Sequence, residues 1–284
     1  MSLSLPSGQW PREFVRRKET MEELTSLANR RVKQAIELKQ RKYRERYGLF
    51  VMEGTRSAED ALALETPGVS LFVTMDAIQL SRVAALVMRA EDFGWQVFSV
   101  TEPMMRKMSS AVHGQGVLAV LPKPERNLAD APSEPGLYVL LDAVQDPGNM
   151  GTILRTAAAA GVKAVLLTEG TTDPYAEKAV QSSMGSILRL PVYERVTPKD
   201  LDVFLSRTKL PLIGTALSGG KSYREVSCRE DVVVAFGNEG AGLSEEILRR
   251  CEERLYIPME GGVESLNVSV AAGIVLFGLK EVRK

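Results

Sequence analysis

The chain has 284 residues, 44% apolar and 25% charged, and its 36 Lys and Arg balance 36 Asp and Glu to a formal net charge of zero. That length and apolar content allow one large domain or two with a real core, and no apolar run approaches the roughly 20 residues that span a bilayer. Zero net charge argues against a protein that coats nucleic acid indiscriminately, and the N-terminus, MSLSLPSGQWPREFVRRKE, lacks the apolar centre of a secretory signal, so the expected location is the cytoplasm.

Residues 1–25 carry no periodicity and read as a mobile tail. After Ser26, read as an N-cap, SLANRRVKQAIELKQRKYRERYG predicts one helix with Val32, Ala35, Ile36, Tyr43 and Tyr47 towards one face, ended by Gly48. This region is basic: from Pro11 to Arg46 there are twelve Lys or Arg against six Asp or Glu, so the rest of the chain is correspondingly acidic. Such asymmetry fits one part holding a polyanion while another does something else, and it fits equally an ordinary solvated helix. LFVMEG, VSLFVT, WQVFSV and GVLAVL then alternate with helical stretches, a small α/β domain over 26–121.

Residues 122–136, PKPERNLADAPSEPG, hold four prolines and no apolar stripe, and read as a linker of limited flexibility. Over 137–284 a second alternation begins with YVLLDAV and a helix over 151–160. KAVLLTEG, a helix over 176–184, a strand at 188–193 and a helix over 198–207 follow. LPLIGTAL, VVVAFG, a helix over 244–252, LYIPM and a terminal helix from Leu266 complete it. Most of these strands are continuous apolar runs, as parallel strands buried on both faces should be. The predicted fold is therefore α/β, a small α/β domain followed by a doubly wound, mostly parallel one, with ligands bound beyond the carboxyl ends of the strands.

Three segments fall at such strand exits. LDAVQDPGNMGTILRTAAAAGV places Asn149 at a helix mouth and Arg155 six residues on, in a helix whose four alanines permit close packing. FGNEGAGLSEE follows VVVAF with glycines ordered G-x-x-G-x-G, at Gly237, Gly240 and Gly242, near the end of the chain. A dinucleotide-binding turn reads G-x-G-x-x-G and opens its domain, so a nicotinamide enzyme is disfavoured. A tight strand-to-helix connection capped by Ser244 explains the same residues without a ligand. The third segment, YIPMEGGVESLNVSVAAGIVLFGL, runs from a polar loop into a helix of small and branched residues. Cys228 and Cys251 have no C-x-x-C spacing and the only histidine, His113, is distant, so neither a metal site nor a disulfide is expected.

Together these segments resemble the SpoU branch of the SPOUT RNA methyltransferases: N-x-x-x-x-x-R as Asn149 to Arg155, GNEGAG after a strand, and I-P-M followed by SLNVSVA. The N-terminal part is more loosely similar to the substrate-binding domain fused in front of such enzymes. The resemblance implies a C-terminal trefoil knot, S-adenosylmethionine as cofactor, a homodimer, and methyl transfer to a ribose 2′-hydroxyl of structured RNA, with rRNA favoured over tRNA. It implies a cofactor pocket at Thr215, Ala216, Gly237, Asn238, Gly240, Ile257, Met259 and Leu266, in which Gly237 lets main chain approach the cofactor and Gly240 and Gly242 allow the loop to reverse. It gives Arg155 the central role, as a clamp on a phosphate that also stabilises charge on the 2′-oxygen, and lets Asn149, Glu239, Ser265 and Asn267 arrange the loops and the ribose. RNA contacts are expected from Arg30, Lys33, Arg41, Lys42 and Arg44, and base stacking from Tyr43 or Tyr47 if either is exposed. A catalytically silent RNA-binding or ribosome-assembly factor of the same fold, and a tRNA 2′-O-methyltransferase, stay open as alternatives.

Overall fold

Two runs of buried strands each build a sheet. The structure is a computed structural model that describes residues 21–110, 115–217, 219–226, 231–262 and 264–280; His113 and Cys228 lie outside them. The chain divides into two compact units, one running to Pro124 with Tyr175–Glu177, the other Glu125–Pro174 and everything from Lys178 onward.

The first unit contains β1 (Glu22–Leu24), α1 (Arg30–Glu37), α2 (Arg41–Tyr47), β2 (Leu49–Glu53), α3 (Thr55–Ala63), β3 (Ser70–Thr74), α4 (Met75–Ile78), α5 (Ser81–Asp92), β4 (Gln96–Val100), α6 (Glu102–Met108) and β5 (Val117–Pro122). Its sheet has the order β1-β4-β3-β5-β2, with β5 antiparallel to both neighbours and the other pairs parallel. Val32, Ala35, Phe72, Phe98, Met105 and Leu118 belong to the core on one face.

Three sequence expectations differ from the structure in this unit. Glu22–Leu24, assigned to the tail, is an edge strand paired parallel to β4; three residues with only Leu24 buried leave no periodic signal. The single helix after Ser26 is two, and its cap is Asn29, whose Oδ1 accepts from Arg31 N at 2.9 Å. The break exposes the carbonyls of Leu38 and Lys39, and Arg44 Nη1 donates to both, at 2.7 and 2.9 Å. Arg44 is accordingly 4% exposed. The expectation that it contacts RNA is corrected: its guanidinium pins the corner between α1 and α2, satisfying carbonyls that a helix end leaves open.

The second unit contains β6 (Leu137–Leu141), α7 (Pro147–Ala160), β7 (Val165–Thr168), α8 (Glu177–Ser183), β8 (Val192–Val196), α9 (Pro198–Thr208), β9 (Leu212–Thr215), β10 (Lys221–Ser222), β11 (Val232–Phe236), α10 (Glu245–Leu248), β12 (Glu253–Tyr256) and α11 (Val268–Lys280). Its sheet is parallel throughout, in the order β10-β12-β9-β11-β6-β7-β8. β6 and β11 lie at its centre and are buried along their whole length, which is why VVVAF reads as an uninterrupted apolar run.

The strand expected at 188–193 lies at Val192–Val196, behind a 3₁₀ turn at Ser186–Leu188, and the helix expected over 244–252 closes after Leu248. The linker is not free along its length. Leu128–Asp130 forms a 3₁₀ turn, Ala131 is buried in the second unit's core, and Arg207 donates to the carbonyls of Leu128, Ala129 and Ala131. The close helix approach expected of the alanines occurs at Gly151, where a Cβ would stand 2.2 Å from the Ala179 carbonyl oxygen of α8.

Candidate active site

Parallel strands deliver their loops to one edge of the sheet, and in the second unit these loops enclose a cavity of about 430 Å³. Its wall follows the ends of β9 (Thr215–Leu217), β11 (Phe236–Gly240) and β12 (Tyr256, Ile257, Met259), then the segment of Glu264 to Asn267 that leads into α11. All eight positions expected to bind cofactor line it, together with Glu239, Ser265 and Asn267.

The glycine-rich loop closes on itself. Asn238 and Gly242 exchange both main-chain hydrogen bonds at 2.9 Å, and Gly242 takes φ +72°, a conformation that favours glycine. A Cβ at Gly237 would lie 2.2 Å from the carbonyl carbon of Gly242 and 2.3 Å from Leu243 N. Gly237 is thus required by its own loop, which refines the expectation that it admits the cofactor. Asn238 is engaged in the same turn: Oδ1 accepts from Gly240 N and Ala241 N at 2.9 and 3.0 Å, and Nδ2 donates to Ala143 O at 2.9 Å. The polar main-chain groups of Ile257 and Leu266 make no hydrogen bond to the described residues.

Beside the cavity the three segments are joined through side chains. Asn149 Nδ2 donates to Glu239 Oε1 at 2.9 Å, and Asn267 Nδ2 donates to Asn149 Oδ1 at 2.9 Å. Glu239 also accepts from Gln145 N and Asp146 N at 3.3 Å each. Burial pushes its pKa up, but the hydrogen bonds from Asn149 and these amides outweigh that and hold the carboxyl below its ordinary range. Asn267 Oδ1 accepts from Ser269 N at 2.9 Å and its carbonyl from Ala271 N at 2.9 Å, the hydrogen bonds of a helix cap.

Asp146 and Lys178 join the site although neither stands out in the sequence. Asp146 caps α7 by accepting from Asn149 N at 2.8 Å and pairs with Lys178 Nζ at 2.9 Å, and the Lys178 hydrogen bond, then that from Asn149, lowers its pKa. The D-P-G order before Asn149, an N-cap followed by proline at the first helical position, carried the signal. Arg155 is exposed on α7, lines none of this cavity and has no hydrogen-bond or ion-pair partner among the described residues. Cys251 packs under the sheet against the position of a Gly214 Cβ, and burial pushes its thiol pKa up to about 11.

In the first unit Arg30, Lys33, Arg41 and Lys42 are exposed, whereas Arg44 is not. Tyr43 and Tyr47 are half-buried and stack on each other, with ring centroids 5.9 Å apart and planes at 15°.

A parallel α/β unit with a loop-built pocket beyond its strands is a ligand-binding architecture, and comparison with known proteins specifies its family. The profile described as SpoU rRNA Methylase family matches residues 136–277, and that of the MRM3-like substrate binding domain matches 29–119. The 23S rRNA (guanosine(2553)-2′-O)-methyltransferase RlmP of Bacillus subtilis is 35% identical over 260 residues, 92% of this chain and 100% of that protein. Among solved structures, an AdoMet-bound rRNA methyltransferase from Sinorhizobium meliloti superposes with a TM-score of 0.83 at 32% identity, covering 92% of this chain and 98% of that one. The SpoU methyltransferase AviRb from Streptomyces viridochromogenes, in complex with AdoMet, reaches 0.83 at 27% identity, covering 90% and 98%. The chain belongs to the SpoU rRNA methylase family.

Proposed function

We propose that this chain methylates a ribose 2′-hydroxyl of ribosomal RNA with S-adenosylmethionine as donor, in the pocket beyond β9, β11 and β12. The observation that carries the reading is the pocket itself, with three loops of unrelated sequence joined by the Glu239–Asn149–Asn267 hydrogen bonds. The residues present fit the cofactor. Leu255, Ile257, Val268 and Val275 offer apolar wall for an adenosine, the unbonded main-chain groups of Ile257 and Leu266 suit its polar edges, and Glu239 and Glu264 suit a positively charged sulfonium. Thr215 and Ala216 form a side of the same pocket, while Asn238 holds the loop in shape.

The donor supplies an already activated methyl group, so the chain must hold the ribose in line and offset charge developing on its 2′-oxygen. A guanidinium donates only, so Arg155 is assigned to a neighbouring phosphate and to the developing oxyanion. Asn149, Glu239 and Asn267 are assigned to positioning, and Ser265, exposed at the pocket rim, to the ribose. The first unit selects the RNA site through Arg30, Lys33, Arg41 and Lys42.

Two further features belong to this reading. The loop crossings around the pocket form a trefoil knot, and the enzyme acts as a homodimer through α11, whose Val270 and Phe277 are 49% and 42% exposed. Arg155, free on the neighbouring helix and outside its own pocket, would then stand beside the second copy. Labelled methyl transfer to total unmodified RNA, followed by nucleoside analysis, tests the proposal. A 2′-O-methylnucleoside formed by wild type and lost in Arg155→Ala supports it. Cofactor binding without transfer to any RNA, including assembling ribosomal particles, would favour a binding factor.

A further inference from the structure

The corner between α1 and α2 holds a second cavity, of about 550 Å³, lined by Arg30, Lys33, Gln34, Glu37, Tyr43, Arg46 and Tyr47. Buried Arg44 fixes this corner by bonding the carbonyls of Leu38 and Lys39, so the pocket is formed before anything binds. Its chemistry is mixed. Arg30, Lys33 and Arg46 are cations, and Arg46 lies 5.7 Å from the Tyr47 ring centroid. Tyr43 and Tyr47 supply stacked rings. Among them stands one carboxylate, Glu37, whose Oε2 accepts from Tyr47 Oη at 2.7 Å and whose Oε1 lies 3.9 Å from Lys33 Nζ. Its side chain is only 19% exposed.

Cations and aromatic rings together suit a nucleotide, with phosphate on the former and base against the latter. Tyr47 and Lys33 hold Glu37 in the wall but leave its Oε1 without a hydrogen bond among the described residues, and a bare phosphate could not use that oxygen, because a carboxylate repels it. A carboxylate has acceptors and no donor, so it calls for a base edge with donors side by side. Guanine presents two on its Watson–Crick edge, N1–H and the 2-amino group. Uracil presents one, and in adenine and cytosine the single amino group adjoins a ring nitrogen acceptor.

We propose that this pocket reads one unpaired guanosine of the RNA: base beside Tyr43 and Tyr47, Watson–Crick edge on Glu37, phosphate on Arg30 and Lys33. The inference rests on the RNA-modifying reading above and names the feature of the substrate that the first unit recognises.

The test uses the full chain without S-adenosylmethionine, so a failure of methyl transfer does not enter it. Labelled oligouridine heptamers with G, A, C, U or inosine at the centre are titrated and followed by fluorescence anisotropy. The expected result is about tenfold tighter binding of the G oligomer, the discrimination typical of one bidentate base contact. Inosine, lacking the 2-amino group, should fall between G and the others. Glu37→Gln should abolish the preference while keeping the weaker common affinity, and Lys33→Ala should weaken all five alike. Equal affinities in wild type, no measurable binding, or a guanine preference that survives Glu37→Gln would each overturn the proposal.

Discussion

Around the pocket of the second unit main-chain groups at Ile257 and Leu266 stand open beside the exposed side chains of Glu264 and Ser265, while Asn149, Glu239 and Asn267 are tied to one another. Between α1 and α2 the wall is made of side chains: Arg30, Lys33, Glu37, Tyr43, Arg46 and Tyr47. The first arrangement depends on loop shape and is broken by altering the backbone. The second depends on functional groups and can be dismantled residue by residue. In the proposed reading the former holds the cofactor and the latter the RNA.

The sharpest exception to this contrast is Arg155, a side chain outside the pocket to which the proposed reading assigns the chemistry. Arg155→Ala should lower the transfer rate by about 10²–10³, as loss of an oxyanion donor does, and leave S-adenosylmethionine affinity within about twofold, measured by single-turnover kinetics beside calorimetry. Gly237→Ala should cost about 1–3 kcal/mol in chemical denaturation and lose cofactor binding, because its Cβ would meet main chain that cannot yield. Gly240→Ala is the matched control: its Cβ would have nothing nearer than Asn238 Oδ1 at 3.7 Å, so stability should stay within about 0.5 kcal/mol.

Asp146→Ala should cost about 1 kcal/mol as a lost N-cap and loosen the Asn149–Glu239 contact. Because the folded state lowers the Asp146 pKa below its ordinary 3.8, this stabilisation is complete above that value and fades as pH falls through the lower folded one. Wild type and variant should therefore converge in acid denaturation. In the first unit, removing the Lys33 charge should reduce the salt dependence of RNA binding by about 0.7–0.9 in log–log slope and leave cofactor affinity unchanged. The smallest effect is expected at Cys251, which a thiol pKa of about 11 keeps protonated at neutral pH, so iodoacetamide should modify it far more slowly than a free thiol.

The second unit was the more legible in sequence because its strands and its glycine-rich turn depend on backbone shape. Buried parallel strands read as apolar runs, and loops that need glycine, proline and small caps write those residues into GNEGAG and IPMEGGVESLN. Electrostatic partnerships were less legible. Arg44 belongs to a run of basic residues that looks uniformly solvated, and only the break between α1 and α2 turns it inward. Asp146 and Lys178 are brought together across 32 positions by the fold. Strands of two or three residues, Lys221–Ser222 and Glu22–Leu24, are set by their neighbours' open edges and leave no period to read.

The self-closing turn at Gly237 also bears on redesign. At this turn the pocket cannot be widened for a bulkier sulfonium donor by trimming side chains, since the turn packs backbone on backbone. Room has to come from the flexible members of the wall, Met259 and Leu266, or from a change in loop length that keeps the Asn238–Gly242 closure intact.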